Sequence, residues 1–190
     1  MKLKSCLIAL LLFGVLSSRA QEKNTLSVFY GISNSNIDIH NAIGDYGYSQ
    51  RPGTGFGFIY NRALNRFFSI ETGFAYANDK TQLSVIEAGL GNIYTNEDLK
   101  LISIPLRAKF TFFKYLFADA GFSYDKQTNY RTGDETNDQS GLGGEVGVGA
   151  QFQYAHILIF VNPYYKTYRI TSVQNNLYEQ GLKFGIGYKF

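Results

Sequence analysis

Apolar residues recur at every second position through most of the chain after residue 24, and no segment shows sustained helical spacing. The last segment is the clearest case, with lysine and glycine between Leu182, Phe184, Ile186, Tyr188 and Phe190. Because successive side chains of a strand point to opposite faces, this segment has one continuous apolar face. The chain is therefore predicted to be all-β.

The same alternation marks eight predicted strands, at 26–32, 56–60, 68–76, 100–112, 116–124, 142–154, 157–167 and 182–190. The links at 62–66, 113–115 and 155–156 are short, whereas those near 34–52, 78–99, 126–140 and 169–180 are long and polar. Short turns at one end and long loops at the other are typical of outer-membrane barrels. We therefore predict an eight-stranded antiparallel up-and-down transmembrane β-barrel, with both termini at the periplasmic, short-turn end.

Three local features of these strands lead to further expectations. A turn at 113–115 would set Phe112 opposite Leu116 and Lys109 opposite Asp119, a favourable cross-strand ion pair. Pro105 has no N–H to donate within its predicted strand, so we expect a bulge or a local bend there. The segment 157–167 begins with five apolar residues, so the pattern leaves its inward and outward faces open.

The face opposite the apolar one indicates which side points into the barrel. Alternation alone also fits a soluble secreted β-barrel or sandwich with apolar side chains inward, but such a protein would cover its outer face with Lys, Glu and Thr. Here that face carries many glycines, including Gly57, Gly73, Gly121 and Gly147. Close backbone approach in a narrow interior favours glycine. The apolar face is therefore predicted to contact lipid.

The charges on the glycine-rich face nearly balance, with Glu71, Asp119 and Glu145 against Arg107, Lys109, Lys183 and Lys189. Buried charges need partners, and eight strands leave room for side chains but not for a wide channel. We therefore expect an ion-pair and hydrogen-bond network that fills the lumen, formed by Glu71, Arg107, Lys109, Asp119, Glu145 and Lys183.

Residues 1–20 have the organisation of a secretory signal peptide, with Lys2 and Lys4 before an apolar run at 6–16 and small residues before Gln21. We predict cleavage after Ala20 and a barrel domain over 21–190. Cleavage would remove the single Cys and three of the 18 basic residues, leaving as many basic as the 15 acidic residues. A concentrated basic face for nucleic acid and any thiol chemistry are thereby excluded.

Residues 102–110, Ile-Ser-Ile-Pro-Leu-Arg-Ala-Lys-Phe, resemble a strand motif of the PorT-like outer membrane protein beta-barrel family. The following strand at 117–121 and the terminal strand ending at Phe190 strengthen the resemblance, which covers the whole mature chain. It implies location in the cell outer membrane, in contact with membrane lipid and lipopolysaccharide. Phe190, with Tyr188 before it, resembles the C-terminal signal that the barrel-insertion machinery recognises in such proteins.

Few residues suggest chemistry. His40 lies in the first long link near Ser35 and Asp38, and His156 lies in a short turn at the opposite end, so the two histidines cannot share a site. Some barrels that this chain resembles modify lipid A with histidine and serine or acidic residues, but the spacing here fixes no such group. No catalytic residue, cofactor or metal site is therefore predicted.

Two further motifs are interpreted structurally. Asp134, Glu135 and Asp138 lack the spacing of an EF-hand and are expected to be solvated loop charges. The glycine-rich run at 141–149 keeps strand parity at Val146 and Val148 and lacks the Lys-Ser/Thr pair of a phosphate-binding loop. We interpret it as a strand.

These observations favour a non-enzymatic integral outer-membrane protein with a plugged polar lumen. Its four long loops would serve envelope structure or bind a protein partner, because a rigid barrel leaves loops free for recognition. Two alternatives stay open: passage of a small molecule through the barrel or a lateral opening, and an accessory role in a protein-secretion machine, which the PorT-like resemblance implies. Lipid A modification is the enzymatic alternative.

Overall fold

The computed structural model describes residues 23–38, 46–87, 91–129, 138–170 and 176–190, so the predicted signal peptide lies outside the described residues. The strands are β1 (Asn24–Asp38), β2 (Tyr46–Ala63), β3 (Phe68–Glu87), β4 (Gly91–Phe112), β5 (Leu116–Gln127), β6 (Gly141–Tyr154), β7 (Ile157–Thr167) and β8 (Asn176–Lys189). They pair antiparallel in chain order as a closed barrel, which confirms the predicted fold. Within the described ranges, no helix is long and apolar enough to cross a membrane.

The barrel closes where the first strand meets the last. β1 pairs with β8 from Thr25 opposite Lys189 to Asp38 opposite Asn176. At the short-turn end the Asn24 amide donates to the Phe190 carbonyl at 3.1 Å, and the Phe190 amide donates to the Asn24 carbonyl at 2.8 Å. Closure leaves neither strand with an unpaired edge, which is the condition for placing strands in lipid.

The register of β4 against β5 is the predicted one, with Phe112 opposite Leu116 and Lys109 opposite Asp119. Of the two alternatives expected at Pro105, a bulge or a local bend, the bulge is wrong. The β3–β4 ladder is interrupted between Thr72↔Leu106 and Ala75↔Ser103, but it resumes in the same register. The missing N–H therefore costs ladder bonds without inserting a residue, and the Thr72 hydroxyl donates to the Pro105 carbonyl at 2.9 Å.

The short turns are held by local backbone geometry. In the turn after β4, Phe113 and Lys114 have φ angles of 53° and 67°, and in the turn after β6, Ala155 has a φ of 50°. Positive φ values of this kind match the twist of tight hairpins. In the turn after β2, the Asn65 side chain accepts bonds from the Phe67 and Phe68 amides, each at 2.8 Å. The predicted short links are confirmed.

The predicted long links are partly wrong, because strands occupy much of them. β1 extends to Asp38 and β2 begins at Tyr46, while β3 and β4 remain paired up to Glu87 opposite Gly91. Apolar alternation marks a strand only where one face is polar and the other apolar. Beyond the lipid-facing band the backbone ladder continues, but its residues no longer alternate between apolar and polar. The alternation in the sequence therefore ends before the strands do.

The outer surface of the barrel is apolar along its middle. Leu106 and Val148 are 63% and 62% exposed, and Phe122 and Ile104 are similar. Aromatic side chains such as Phe113 and Tyr154 stand exposed at the short-turn end. So much exposed apolar area requires a lipid environment, as the sequence predicted.

The open question about β7 is resolved by the inner surface. Leu158, Phe160, Asn162, Tyr164 and Lys166 are buried in the lumen, whereas Ile157, Ile159 and Tyr165 are exposed outside. The apolar run at the start of β7 thus supplies both lipid-facing residues and part of an inner apolar layer, which packs Phe29, Ile59, Phe117, Leu158 and Phe160 together.

Candidate functional site

Arg107 on β4 lies at the centre of the lumen, with only 3% of its surface exposed. Its Nη2 atom is 3.0 Å from Glu71 Oε2 on β3, and its Nη1 atom donates to the Glu145 carboxylate on β6. Asp119 on β5 lies further away, with Oδ1 3.8 Å from Nη1. One guanidinium therefore connects four strands across the barrel.

Two lysines complete this arrangement. Lys183 on β8 donates to the Glu145 carboxylate that Arg107 also contacts. Lys109 Nζ lies 3.4 Å from Glu71 Oε1 and 3.9 Å from the centre of the Phe117 ring. The six residues singled out in the sequence thus lie in one cluster of three cations and three carboxylates, which we call the central network: Glu71, Arg107, Lys109, Asp119, Glu145 and Lys183.

Small residues make room for the central network. Gly147 on β6 faces Asp119 and Asn162, and the Asn162 amide donates to Asp119 Oδ2 at 2.8 Å. A Cβ on Gly147 would lie 2.6 Å from Asn162 Oδ1 and 3.1 Å from Asp119 Oδ1. A side chain at this position would make these two polar groups shift.

A second buried cluster, which apolar alternation did not predict, lies nearer the loop end. Lys166 on β7 donates to Asp125 Oδ1 at 2.8 Å and to the Ser103 hydroxyl at 2.7 Å. Glu179 on β8 accepts the hydroxyls of Tyr164 and Tyr168. We call the set Asp79, Asp125, Lys166, Glu179, Tyr164 and Tyr168 the loop-end cluster.

Asp79 joins the loop-end cluster by reaching across β2. It is fully buried, and the Ser33 hydroxyl on β1 donates to its Oδ1 atom at 3.1 Å. Between them lies Gly53 on β2, where a Cβ would be 2.9 Å from Ser33 Oγ and closer still to Asp79. The absence of a side chain at Gly53 is what allows β3 and β1 to make this bond.

A signal for most of the missed residues was present in the sequence. On β3, β5 and β8 the side chains at odd-numbered positions point into the lumen. Counting every second residue beyond the end of the apolar alternation therefore reaches Asp79, Asp125 and Glu179. Lys166 was missed for another reason. Both faces of β7 are apolar at its start, so the sequence did not show which positions of β7 point into the lumen.

Below the central network, at the short-turn end, the lumen widens into a cavity of about 690 Å³. We call it the short-turn cavity. Its floor is formed by Glu71, Arg107 and Lys109, and its mouth by residues of the turns and termini, among them Lys189. Lys189, an inward charge noted in the sequence, therefore lies at the mouth of the lumen rather than in the central network.

A family model for the "Outer membrane protein beta-barrel domain" matches residues 6–190. The chain belongs to this family. The resemblance drawn from the sequence is thereby confirmed at the level of the family, and the protein is located in the cell outer membrane. In that membrane the exposed apolar belt of the barrel faces lipid.

Solved outer-membrane proteins have a similar fold. OprG from Pseudomonas aeruginosa is 15% identical, with a TM-score of 0.54 over 90% of this chain and 97% of OprG. Neisserial surface protein A (NspA) is 16% identical, with a TM-score of 0.55 over 88% of this chain and 97% of NspA. AlkL, solved in DMPC lipid bilayers, is 11% identical, with a TM-score of 0.53 over 92% and 93%. These identities show the fold alone, and no curated protein matches the sequence.

The remaining candidate residues of the sequence analysis do not form a described site. His40, Asp134 and Glu135 lie outside the described residues, as does the side chain of Asp38. His156 lies in the turn after β6, where its Nδ1 atom is 3.1 Å from the Lys189 carbonyl and its ring stacks on Tyr188. The run at 141–149 belongs to β6, which confirms the structural interpretation.

Two of these candidates have described environments. Ser35 is buried on β1, at the loop end of the lumen. Asp138 accepts the Ser140 amide at 2.9 Å. Across the part of the chain that the structure describes, no three His, Cys, Asp or Glu side chains are grouped to hold a metal ion.

Proposed function

We propose that this member of the family is a non-enzymatic barrel with a closed lumen, whose loop-end hairpins support the envelope or bind a protein partner. The observation that supports closure is the central network, because its six charged side chains come from β3, β4, β5, β6 and β8 and meet at one level. Side chains fill the interior of an eight-stranded barrel readily, and opening the central network would separate buried ion pairs.

The loop-end hairpins support the second part of the proposal. β3 and β4 stay paired from Tyr76 opposite Ile102 as far as Glu87 opposite Gly91. At the base of this hairpin, the Lys100 amide donates to the Asn129 side chain at 2.7 Å. Paired strands beyond the apolar belt form a stiff platform, and stiff platforms lower the entropic cost of binding a protein or the lipopolysaccharide of the outer leaflet.

Planar-bilayer recordings test closure of the lumen. We expect no conductance steps from the wild-type protein and reproducible steps from the R107A/E145A double variant, because the double substitution removes the centre of the central network. The exposed charge variant D98N is the control and should stay silent. Wild-type steps that change in the E71Q or K109Q variant would instead establish conduction.

Hairpin replacement tests the partner-binding role. Exchanging residues 80–97 for a short Asn-Gly turn should leave the heat-dependent electrophoretic shift of the folded barrel intact, because the replaced part lies beyond the apolar belt. Cross-linking in intact outer membranes should lose any protein adduct that the wild type forms. Adducts that survive the exchange would refute this part of the proposal.

The C-terminal residues carry a proposal of their own, recognition by the insertion machinery. Tyr188 and Phe190 are about half exposed on the outer surface, and the Phe190 backbone closes the barrel against Asn24. The F190A variant should assemble into membranes more slowly than the wild type. F113A, which removes another exposed aromatic ring at the same end, should assemble at the wild-type rate.

A second candidate function is passage of a small molecule, and the short-turn cavity is the observation that favours it. The cavity extends from the periplasmic mouth to Arg107 and Lys109, so the central network is the barrier that a solute would meet. The bilayer recordings described above separate the two functions. An accessory role in protein secretion has only the PorT-like resemblance in its favour, and a stable co-purifying complex would establish it.

A further inference from the structure

The short-turn cavity has a strongly uneven charge. Its lining contains six basic side chains and one acidic side chain, namely Lys23, Arg66, Arg107, Lys109, Lys114 and Lys189 against Glu71. Glu71 is already paired with Arg107 and Lys109. The basic residues at the mouth therefore have no counter-charge within the cavity lining.

The four cations at the mouth have no acidic partner elsewhere in the described part of the chain either. Lys23, Arg66 and Lys114 are exposed and Lys189 is half-buried. Among the residues that the structure describes, no carboxylate of a side chain or of the chain end lies within 4.0 Å of any of them. A concave surface of one charge sign concentrates its field and attracts ions of the opposite sign.

The floor of the cavity adds buried donors. The Lys109 ammonium and the Arg107 guanidinium both line the cavity, and their side chains are 8% and 2% exposed. Both already pair with Glu71, so the four cations at the mouth supply the excess positive charge that attracts an anion.

The inner walls of the cavity carry two buried aromatic rings. Phe117 and Phe160 line the cavity as part of the inner apolar layer. An inorganic ion would leave these rings without a contact, whereas a ring-bearing ligand would pack against them. A cavity of about 690 Å³ is also within the range that encloses small organic molecules.

We propose that the short-turn cavity is a binding site for a small organic anion, an aromatic carboxylate, that enters from the periplasmic end. The carboxylate is bound by the basic residues, and the ring packs against Phe117 and Phe160. This inference goes beyond the proposed function, since a closed barrel with partner-binding hairpins needs no ligand in its lumen.

The test uses the full mature chain in zwitterionic nanodiscs and a fluorinated naphthalene carboxylate as the probe, followed by ¹⁹F NMR. The neutral primary amide of the same compound is the matched ligand, and empty nanodiscs correct for partition into lipid. We expect saturable binding of the carboxylate and an affinity for the amide that is at least about tenfold weaker. The reason is that only the carboxylate makes charge-assisted hydrogen bonds.

Two double variants locate the site. R66Q/K114Q removes two cations at the cavity mouth, and K100Q/K126Q removes two exposed cations at the loop end. The first should weaken carboxylate binding by about tenfold and the second should leave it unchanged. All four substitutions are on exposed side chains, and the heat-dependent electrophoretic shift confirms that each variant is folded.

Three results would overturn the proposal. Equal affinity for carboxylate and amide would mean that the compound only partitions into the nanodisc. Equal weakening by both double variants would mean that basic side chains attract the anion wherever they lie on the protein. Binding of an acidic peptide without any binding of the naphthalene carboxylate would assign the cavity to a protein segment instead. Wild-type conductance steps, or partner adducts that survive the hairpin exchange, would leave this proposal untouched, so the failures are distinguishable.

Discussion

The central network and the loop-end cluster are both buried in the same lumen, but they neutralise their carboxylates in different ways. In the central network three carboxylates meet three cations, and Glu145 contacts both Arg107 and Lys183. The loop-end cluster has one cation for its three carboxylates: Lys166 pairs with Asp125, while Glu179 accepts two tyrosine hydroxyls. Tyr164 joins the two, because its ring lies 3.9 Å from Lys183 Nζ while its hydroxyl contacts Glu179.

This difference shows what each cluster depends on. Removing a carboxylate from the central network leaves buried cations without a counter-charge, and an uncompensated buried charge is far more costly than a lost neutral bond. Removing Glu179 from the loop-end cluster leaves two hydroxyl groups, which rotate and find other acceptors. We therefore expect the central network to control stability and the loop-end cluster to tolerate the loss of Glu179.

The largest effect should come from E145Q. The amide cannot neutralise Arg107 and Lys183, so the free energy of unfolding should fall by about 3–5 kcal/mol. Urea titration in detergent micelles measures it, with the folded fraction read from the heat-dependent electrophoretic shift. The exposed D98N variant should stay at the wild-type value. A loss below about 1 kcal/mol for E145Q, typical of a surface pair, would mean that water screens the central network.

The matched variant in the loop-end cluster is E179Q. Its amide oxygen still accepts one tyrosine hydroxyl, so the loss should be about 1–2 kcal/mol in the same titration. Y164F removes one of the two hydroxyl donors and should cost no more than E179Q. If E179Q proves as destabilising as E145Q, the two clusters form one electrostatic unit, and the contrast between them fails.

A smaller effect tests the path of Asp79 across β2. In G53A the added methyl group presses on Ser33 and Asp79, and the resulting shift should cost about 1–2 kcal/mol. G31A is the control, because a Cβ there meets Lys183 Cγ at 3.7 Å, an ordinary contact. Equal stability of the two alanine variants would show that Asp79 has room to move and that the loop-end cluster is loosely packed.

The smallest effect is expected at Pro105, which lies on β4 between Ser103 of the loop-end region and Arg107 of the central network. P105A gains a ladder bond to β3, worth about 1 kcal/mol, and loses a similar amount from the greater freedom of its unfolded chain. The two terms should cancel to within about 0.5 kcal/mol. Clear destabilisation of P105A would indicate that the proline keeps the central network and the loop-end cluster apart.

The sequence predicted the central network better than the loop-end cluster for a physical reason. Arg107, Glu71 and Glu145 lie within strands whose other face contacts lipid, so apolar alternation marks their inward direction. Asp79 and Glu179 lie where that alternation has ended, although their strands continue. Counting every second residue from the middle of each strand identifies both as inward-facing, but only once the length of the strand is known.

The two-residue period by itself determined the all-β barrel, the lipid-facing side chains and the short turns, because these features depend on neighbours along one strand or across one hairpin. Tertiary structure decided which charges pair, since Arg107 and Glu145 come from strands that are not adjacent in the sheet. It also decided the faces of β7 and the cavity that Lys23, Arg66 and Lys114 share. These depend on the curvature and closure of the whole barrel, and closure brings together residues that no local pattern relates.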